Sequence, residues 1–144
     1  WAKVRHTMRL GLGLVLVPSL PAMALFLAFS PELVALVFQR GDFGPEDVAR
    51  VARIQYFFAG QIPVFLVGTV CARVLSALGR NKILLAIAGP MLLLDVALNW
   101  IFMHFLGVAG IALSTTLLYL VSACLLLHCA ERELRLRQQE DGPA

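Results

Sequence analysis

The sequence predicts an all-α fold, a polytopic membrane helix bundle of four transmembrane helices with proline breaks. Three observations carry that prediction. Of 144 residues, 60% are hydrophobic and only 15% charged, against about 25% charged in an average soluble domain. The mean hydropathy of +0.83 is the opposite of the apolar-poor, charge-rich composition of chains that stay unfolded in water. The apolar residues are also gathered into four runs, and a hydrocarbon core of about 30 Å takes roughly 20 apolar residues per helix. An ordinary water-soluble domain and a disordered chain are both excluded. A net charge of +3 does not indicate nucleic acid, because the basic residues fall between the apolar runs and form no aromatic-interleaved patch.

The first span covers about residues 10–29, after the basic stretch Lys3, Arg5, Arg9. With Ala22-Met23-Ala24 it has some features of a secretory signal peptide, but Pro18 and Pro21 interrupt the run and apolar residues continue past that point. A proline-broken membrane helix fits better, since neighbouring helices in a bundle can satisfy the freed carbonyls. Residues 30–53 form an outer loop with a short helix. Ser30-Pro31-Glu32 reads as its start, with Ser30 as N-cap, and it runs to about Gln39, too short to span. The loop Arg40-Gly41-Asp42-Phe43-Gly44-Pro45 follows, and Glu46 and Asp47 mark the first turn of a helix that begins in water. It continues into the second span, about residues 54–78, which contains Pro63.

Gly79-Arg80-Asn81-Lys82 is a tight polar turn into a third span, about residues 83–105, containing Pro90, Asp95 and Asn99. Gly107-Val108-Ala109-Gly110 reads as a short turn into the fourth, about residues 109–130. The bundle therefore occupies residues 1–130. Residues 131–144 are a mixed-charge tail, expected to be a solvated helix that frays toward its end. Trp1 in place of an initiator methionine suggests a piece of a longer chain. Four spans put both ends and the 73–82 turn on one side, together with nine of the 12 basic residues, which leaves Arg40, Arg50 and Arg53 on the other. Both ends are expected to be cytoplasmic, because basic residues accumulate on that side.

Chemistry-bearing residues are few. Asp95 lies near the middle of the third run, where an ionised carboxylate costs about 2.5 to 3.5 kcal/mol on insertion scales. Asn99 stands one turn on, about 40° around the axis, so both share a face and offer several oxygens together. A cation or proton site and a carboxylate that merely hydrogen-bonds a neighbouring helix are both open readings. Thr115, Tyr119 and Ser122 form one polar stripe on the fourth run. Depth counting from the turn puts Tyr119 near Asn99 and Ser122 near Asp95, with Thr115 one turn further out. Membrane Ser and Thr hydroxyls also commonly bond back to their own helix. Arg73 at the end of the second span reads as snorkelling or as a headgroup contact, and Arg40 as an anion contact or a solvated cation. Cys71, Cys124 and Cys129 show no disulfide or zinc pattern and read as apolar filler. His6, His104 and His128 have no partner at catalytic spacing, so there is no catalytic residue set, and there is no Walker A loop.

Ser19-Leu20-Pro21, the stretch Leu36-Val37-Phe38-Gln39-Arg40-Gly41-Asp42-Phe43 and Glu46-Asp47 carry a resemblance to a known family. It continues through Ala72-Arg73-Val74-Leu75-Ser76-Ala77-Leu78-Gly79, the Asp95 to Asn99 region and residues 106–115. Over these segments, about residues 8–130, the chain resembles the MurJ (MviN) lipid II flippases, whose short Phe-Gln-Arg-Gly-x-Phe motif is fairly specific. Members are much longer, with two pseudo-symmetric lobes of the MATE-like superfamily, and this chain resembles helices nine to twelve, in the C-terminal lobe. The resemblance implies translocation of a lipid-linked peptidoglycan precursor across the bacterial inner (plasma) membrane by alternating access. It implies no cofactor other than sodium as a coupling ion, and as partners the precursor, membrane lipids and the missing N-terminal lobe. By the same resemblance, the metal ligands would be Asp95, Asn99, the backbone carbonyl of Ile111 and Thr115, with a further acid from an earlier, absent helix.

Two rivals remain at this stage. One is a polysaccharide or drug exporter of the same superfamily, against which the Phe38 to Phe43 motif argues. The other is a non-transporting membrane scaffold whose polar residues only join helices. An enzyme is a distant third, because no nucleophile and base converge at any recognisable spacing.

Overall fold

The computed structural model describes residues 2–41 and 43–140. Trp1, Asp42 in the loop motif and the 141–144 end of the tail, where fraying is expected, lie outside the described residues. All regular structure among the described residues is helical: α1 (Ala2–Ala28), α2 (Ser30–Phe38), α3 (Pro45–Ala59), α4 (Gln61–Ala77), α5 (Asn81–Leu106) and α6 (Val108–Glu140). Four stretches are long and apolar enough to cross a membrane: Lys3–Ala28, Pro45–Ala77, Asn81–Leu106 and Val108–Gln139.

Local sequence explains the boundaries. α1 runs unbroken through Pro18 and Pro21, and α5 through Pro90. Pro63, by contrast, stands in the first turn of α4, just past an interruption at Gly60, so the second span is two helices end to end. A proline has no N–H to donate, and the backbone carbonyls near such a break need other partners. Here the Thr116 hydroxyl of α6 lies 2.8 Å from the Phe57 carbonyl and 3.0 Å from its own Ala112 carbonyl, sharing its one hydrogen between them. At the start of α3, Gly44 is extended and its N–H donates to Asp47 Oδ2 at 3.2 Å, closing the first turn with the acid the dipole favours.

The expected N-cap of α2 needs correction. Ser30 is the first helical residue and Phe29 the cap, so Pro31 takes the second position. The Ser30 hydroxyl is buried and donates to the Ala52 carbonyl of α3 at 2.9 Å. A tertiary acceptor has displaced the local capping bond. Val34, Val48 and Ala52 form a small core between α2 and α3, and Phe43 packs on it while its ring lies 6.2 Å from that of Phe38. The two phenylalanines of the loop motif thus close the α2–α3 turn.

The main core joins α1, α4 and α6 through Met8, Cys71, Leu75, Leu126, Ala130 and Leu134. Small residues bring these helices close: a methyl on Gly68 would stand 3.7 Å from the Cβ of Ala123. Among the described residues all three cysteines are free thiols, with Cys71 buried as filler. α5 packs chiefly on α6 and buries no residue completely. At the Gly79 end, α6 runs on as helix beyond its apolar stretch. There Arg80 Nε pairs with Glu133 Oε2 at 2.8 Å, and Arg137 Nη2 donates to the Leu78 carbonyl at 2.9 Å.

Candidate functional site

The α5–α6 hairpin builds the site. Its connection is a single residue, Gly107, at φ 61° and ψ −140°, a conformation that side chains strain to adopt. Three residues on, a Cβ at Gly110 would lie 2.2 Å from the Phe102 carbonyl oxygen. Backbone therefore touches backbone where the helices leave the turn, which is why a glycine is required there. This contact fixes the register, and it brings Ser114 of α6 to the level of Asn99 of α5.

From there a continuous chain of hydrogen bonds runs across the hairpin. Asn99 Nδ2 donates to Asp95 Oδ1 at 3.0 Å, so the pair one turn apart does share a face. In this arrangement the amide presents its NH2 group to the carboxyl oxygen. The Asn99 oxygen is then turned toward α6, where it accepts from the Ser114 hydroxyl. Ser114 Oγ also lies 2.9 Å from the Ile111 carbonyl, to which Thr115 Oγ1 donates at 2.8 Å. Asp95 and Asn99 are half-buried, while Ser114 is 0% exposed.

The residues the sequence singled out thus divide. Asp95, Asn99, the Ile111 carbonyl and Thr115 all belong to this chain of oxygens. The depth count for Tyr119 and Ser122 is corrected, because Asn99 meets Ser114 instead. The Tyr119 ring packs edge-on against Phe65 of α4 at 5.3 Å. The count took residues 107–110 as the turn, whereas α6 already begins at Val108, so its residues sit deeper than composition suggests. Ser114 was missed. One signal could have found it: Gly110 and Ser114 are small residues four apart, the spacing by which membrane helices approach closely.

Arg40, Arg73, His6, His104 and His128 are all exposed. No group of three or more His, Cys, Asp or Glu that could hold a metal occurs among the described residues. A cation here would be met by one carboxylate and by neutral oxygens, a donor set that fits a hard ion and excludes the thiolate and imidazole preferences of zinc or copper.

With the geometry in place, comparison with known proteins gives a consistent result. The chain is 28% identical over 106 residues to a "Probable lipid II flippase MurJ" of Rickettsia prowazekii, covering 74% of this chain and 20% of that protein. It is 25% identical over 121 residues to a protein of the same description in Vibrio cholerae, covering 84% and 23%. A third, from Synechocystis, is 24% identical over 134 residues, covering 93% and 25%. The chain thus spans a fifth to a quarter of the length of the relatives it matches. No solved structure matches it. The family model described as "Lipid II flippase MurJ" matches residues 1–141, nearly the whole sequence, and the chain belongs to that family of membrane proteins.

Proposed function

We propose that this chain forms part of a lipid II flippase, in which it contributes four helices of the C-terminal lobe and a cation site between α5 and α6. The substrate is a lipid-linked peptidoglycan precursor, moved across the bacterial inner membrane by alternating access of this lobe against the N-terminal one. Both ends of the chain face the cytoplasm. The activity is transport and not catalysis.

The observation that carries the reading is Asp95, a carboxylate held within a candidate span and supplied with a donor from its own helix. Such an acid is costly to insert and persists where it has a partner or a task. Asp95 would supply the anionic ligand, with Asn99 Oδ1, the Ile111 carbonyl and Thr115 Oγ1 as neutral ones. The set is all oxygen, as a hard cation such as sodium prefers. Bound sodium supplies one positive charge, and a charge crossing 100 mV gains about 2.3 kcal/mol, enough to bias the rocking of one lobe against the other without ATP.

The scaffold reading draws on the same bonds, because Asn99 and Ser114 also join α5 to α6. Asp95→Asn in the full-length protein separates the two. It keeps the side chain's shape and polarity but removes the charge. Loss of cation dependence and of cell-wall synthesis is expected; a variant that retains both makes Asp95 structural glue.

A further inference from the structure

We propose that Ser114 is a further residue of the cation site, contributing its hydroxyl oxygen; the proposal rests on the cation reading above. Three features of the structure point to it. Ser114 Oγ is within hydrogen-bonding reach of Asn99 Oδ1 and of the Ile111 carbonyl, two of the oxygens in the donor set. It is 0% exposed, so neither solvent nor lipid competes for its lone pairs. It also stands on the α6 face that Gly110 presses against the backbone of α5, so packing fixes its distance from Asn99.

The chemistry of a hydroxyl makes this position useful. Ser114 Oγ lies near two acceptor oxygens: the Ile111 carbonyl, which already accepts from the Thr115 hydroxyl, and the Asn99 amide oxygen, which draws its hydrogen from Ser114. Ser114 gives its one hydrogen to the Asn99 oxygen and leaves its lone pairs unused. Rotation about the Cβ–Oγ bond alone redirects hydrogen and lone pairs, with no movement of the heavy atoms. The hydroxyl therefore satisfies the Asn99 oxygen in the empty site and adds an oxygen ligand in the filled one. Thr115 donates its hydroxyl to the same Ile111 carbonyl from one turn further along α6.

The test uses the full-length protein, purified, with sodium chloride titrated against choline chloride at constant ionic strength and the melting temperature as readout. Three substitutions at one position separate ligand from packing. Ser114→Ala removes the oxygen. Ser114→Cys keeps the size and a weak donor but offers soft sulfur, a poor ligand for a hard cation. Ser114→Thr keeps the oxygen.

The sodium concentration giving half-maximal stabilisation should rise about three- to tenfold in the Ala and Cys variants, the range expected for one lost polar interaction. It should stay within about twofold in the Thr variant. A Cys variant that binds sodium like the parent overturns the proposal and leaves Ser114 a packing residue. If sodium stabilises the parent and Asp95→Ala abolishes the effect while all three Ser114 variants match the parent, the cation site stands and Ser114 is not part of it. If sodium does not stabilise even the parent, the cation reading fails and Ser114 falls with it.

Discussion

A methyl group on Gly110 would sit 2.2 Å from the Phe102 oxygen and 2.4 Å from its carbonyl carbon, both backbone atoms that no rotamer change can move. Gly110→Ala must therefore push α5 and α6 apart, at a cost of about 1–3 kcal/mol by the scale of other overpacked interiors. A lower melting temperature of the full-length protein checks this, and because the same contact positions Ser114 opposite Asn99, weakened sodium stabilisation should accompany it. Gly107→Ala tests the turn separately: its φ of 61° places it where side chains are strained by about 1–3 kcal/mol. At this scale the site was half legible. Asp95 and Asn99 are four apart on one helix, so their shared face follows from helix geometry alone. Ser114 depends on where α6 begins, and that is set by a one-residue backbone turn that composition does not reveal.

At the scale of elements, the C-terminal end of α6 shows which contacts hold the helices together. Arg80 and Glu133 pair at 2.8 Å, but with side chains 50% and 12% exposed they form a solvated bridge, of a kind usually worth about 0–1 kcal/mol. Between Glu133 and Arg137, Leu134 is 0% exposed and belongs to the same core as Leu75 and Met8. Leu134→Ala should cost about 2–5 kcal/mol, and Glu133→Gln less than about 1 kcal/mol. Comparing their thermal melting in the full-length protein checks the order, and an equal loss would mean that charge holds this joint. Periodicity made α6 legible as a helix. It did not reveal that Leu134 caps the core, because an apolar residue in a charged tail reads as one more solvated position until its partners on α1 and α4 are placed.

At the scale of the whole molecule, the helix order fixes which loops share a side, but only charge indicates which side is inner. The Gly79 turn, the start of α1 and the end of α6 are at one side, with Lys3, Arg5, Arg9, Arg73, Arg80, Lys82, Arg132, Arg135 and Arg137; the α2–α3 turn is at the other, with Arg40, Arg50 and Arg53. Basic residues in short loops resist translocation, so the first set is expected to stay in the cytoplasm. Two exposed positions test this: Glu46 at the start of α3 and Asn81 at the start of α5. In a full-length protein whose own cysteines have been replaced, Glu46→Cys should react with a membrane-impermeant thiol reagent when the outer face of the membrane is exposed. Asn81→Cys should react only after the membrane is opened. Because the two positions are separated by a single span, α3 with α4, they must label oppositely if that span crosses. Reversed labelling would invert the orientation, and labelling of both from one side would remove the span itself, taking with it the placement of Asp95 within the bilayer on which the cation site depends.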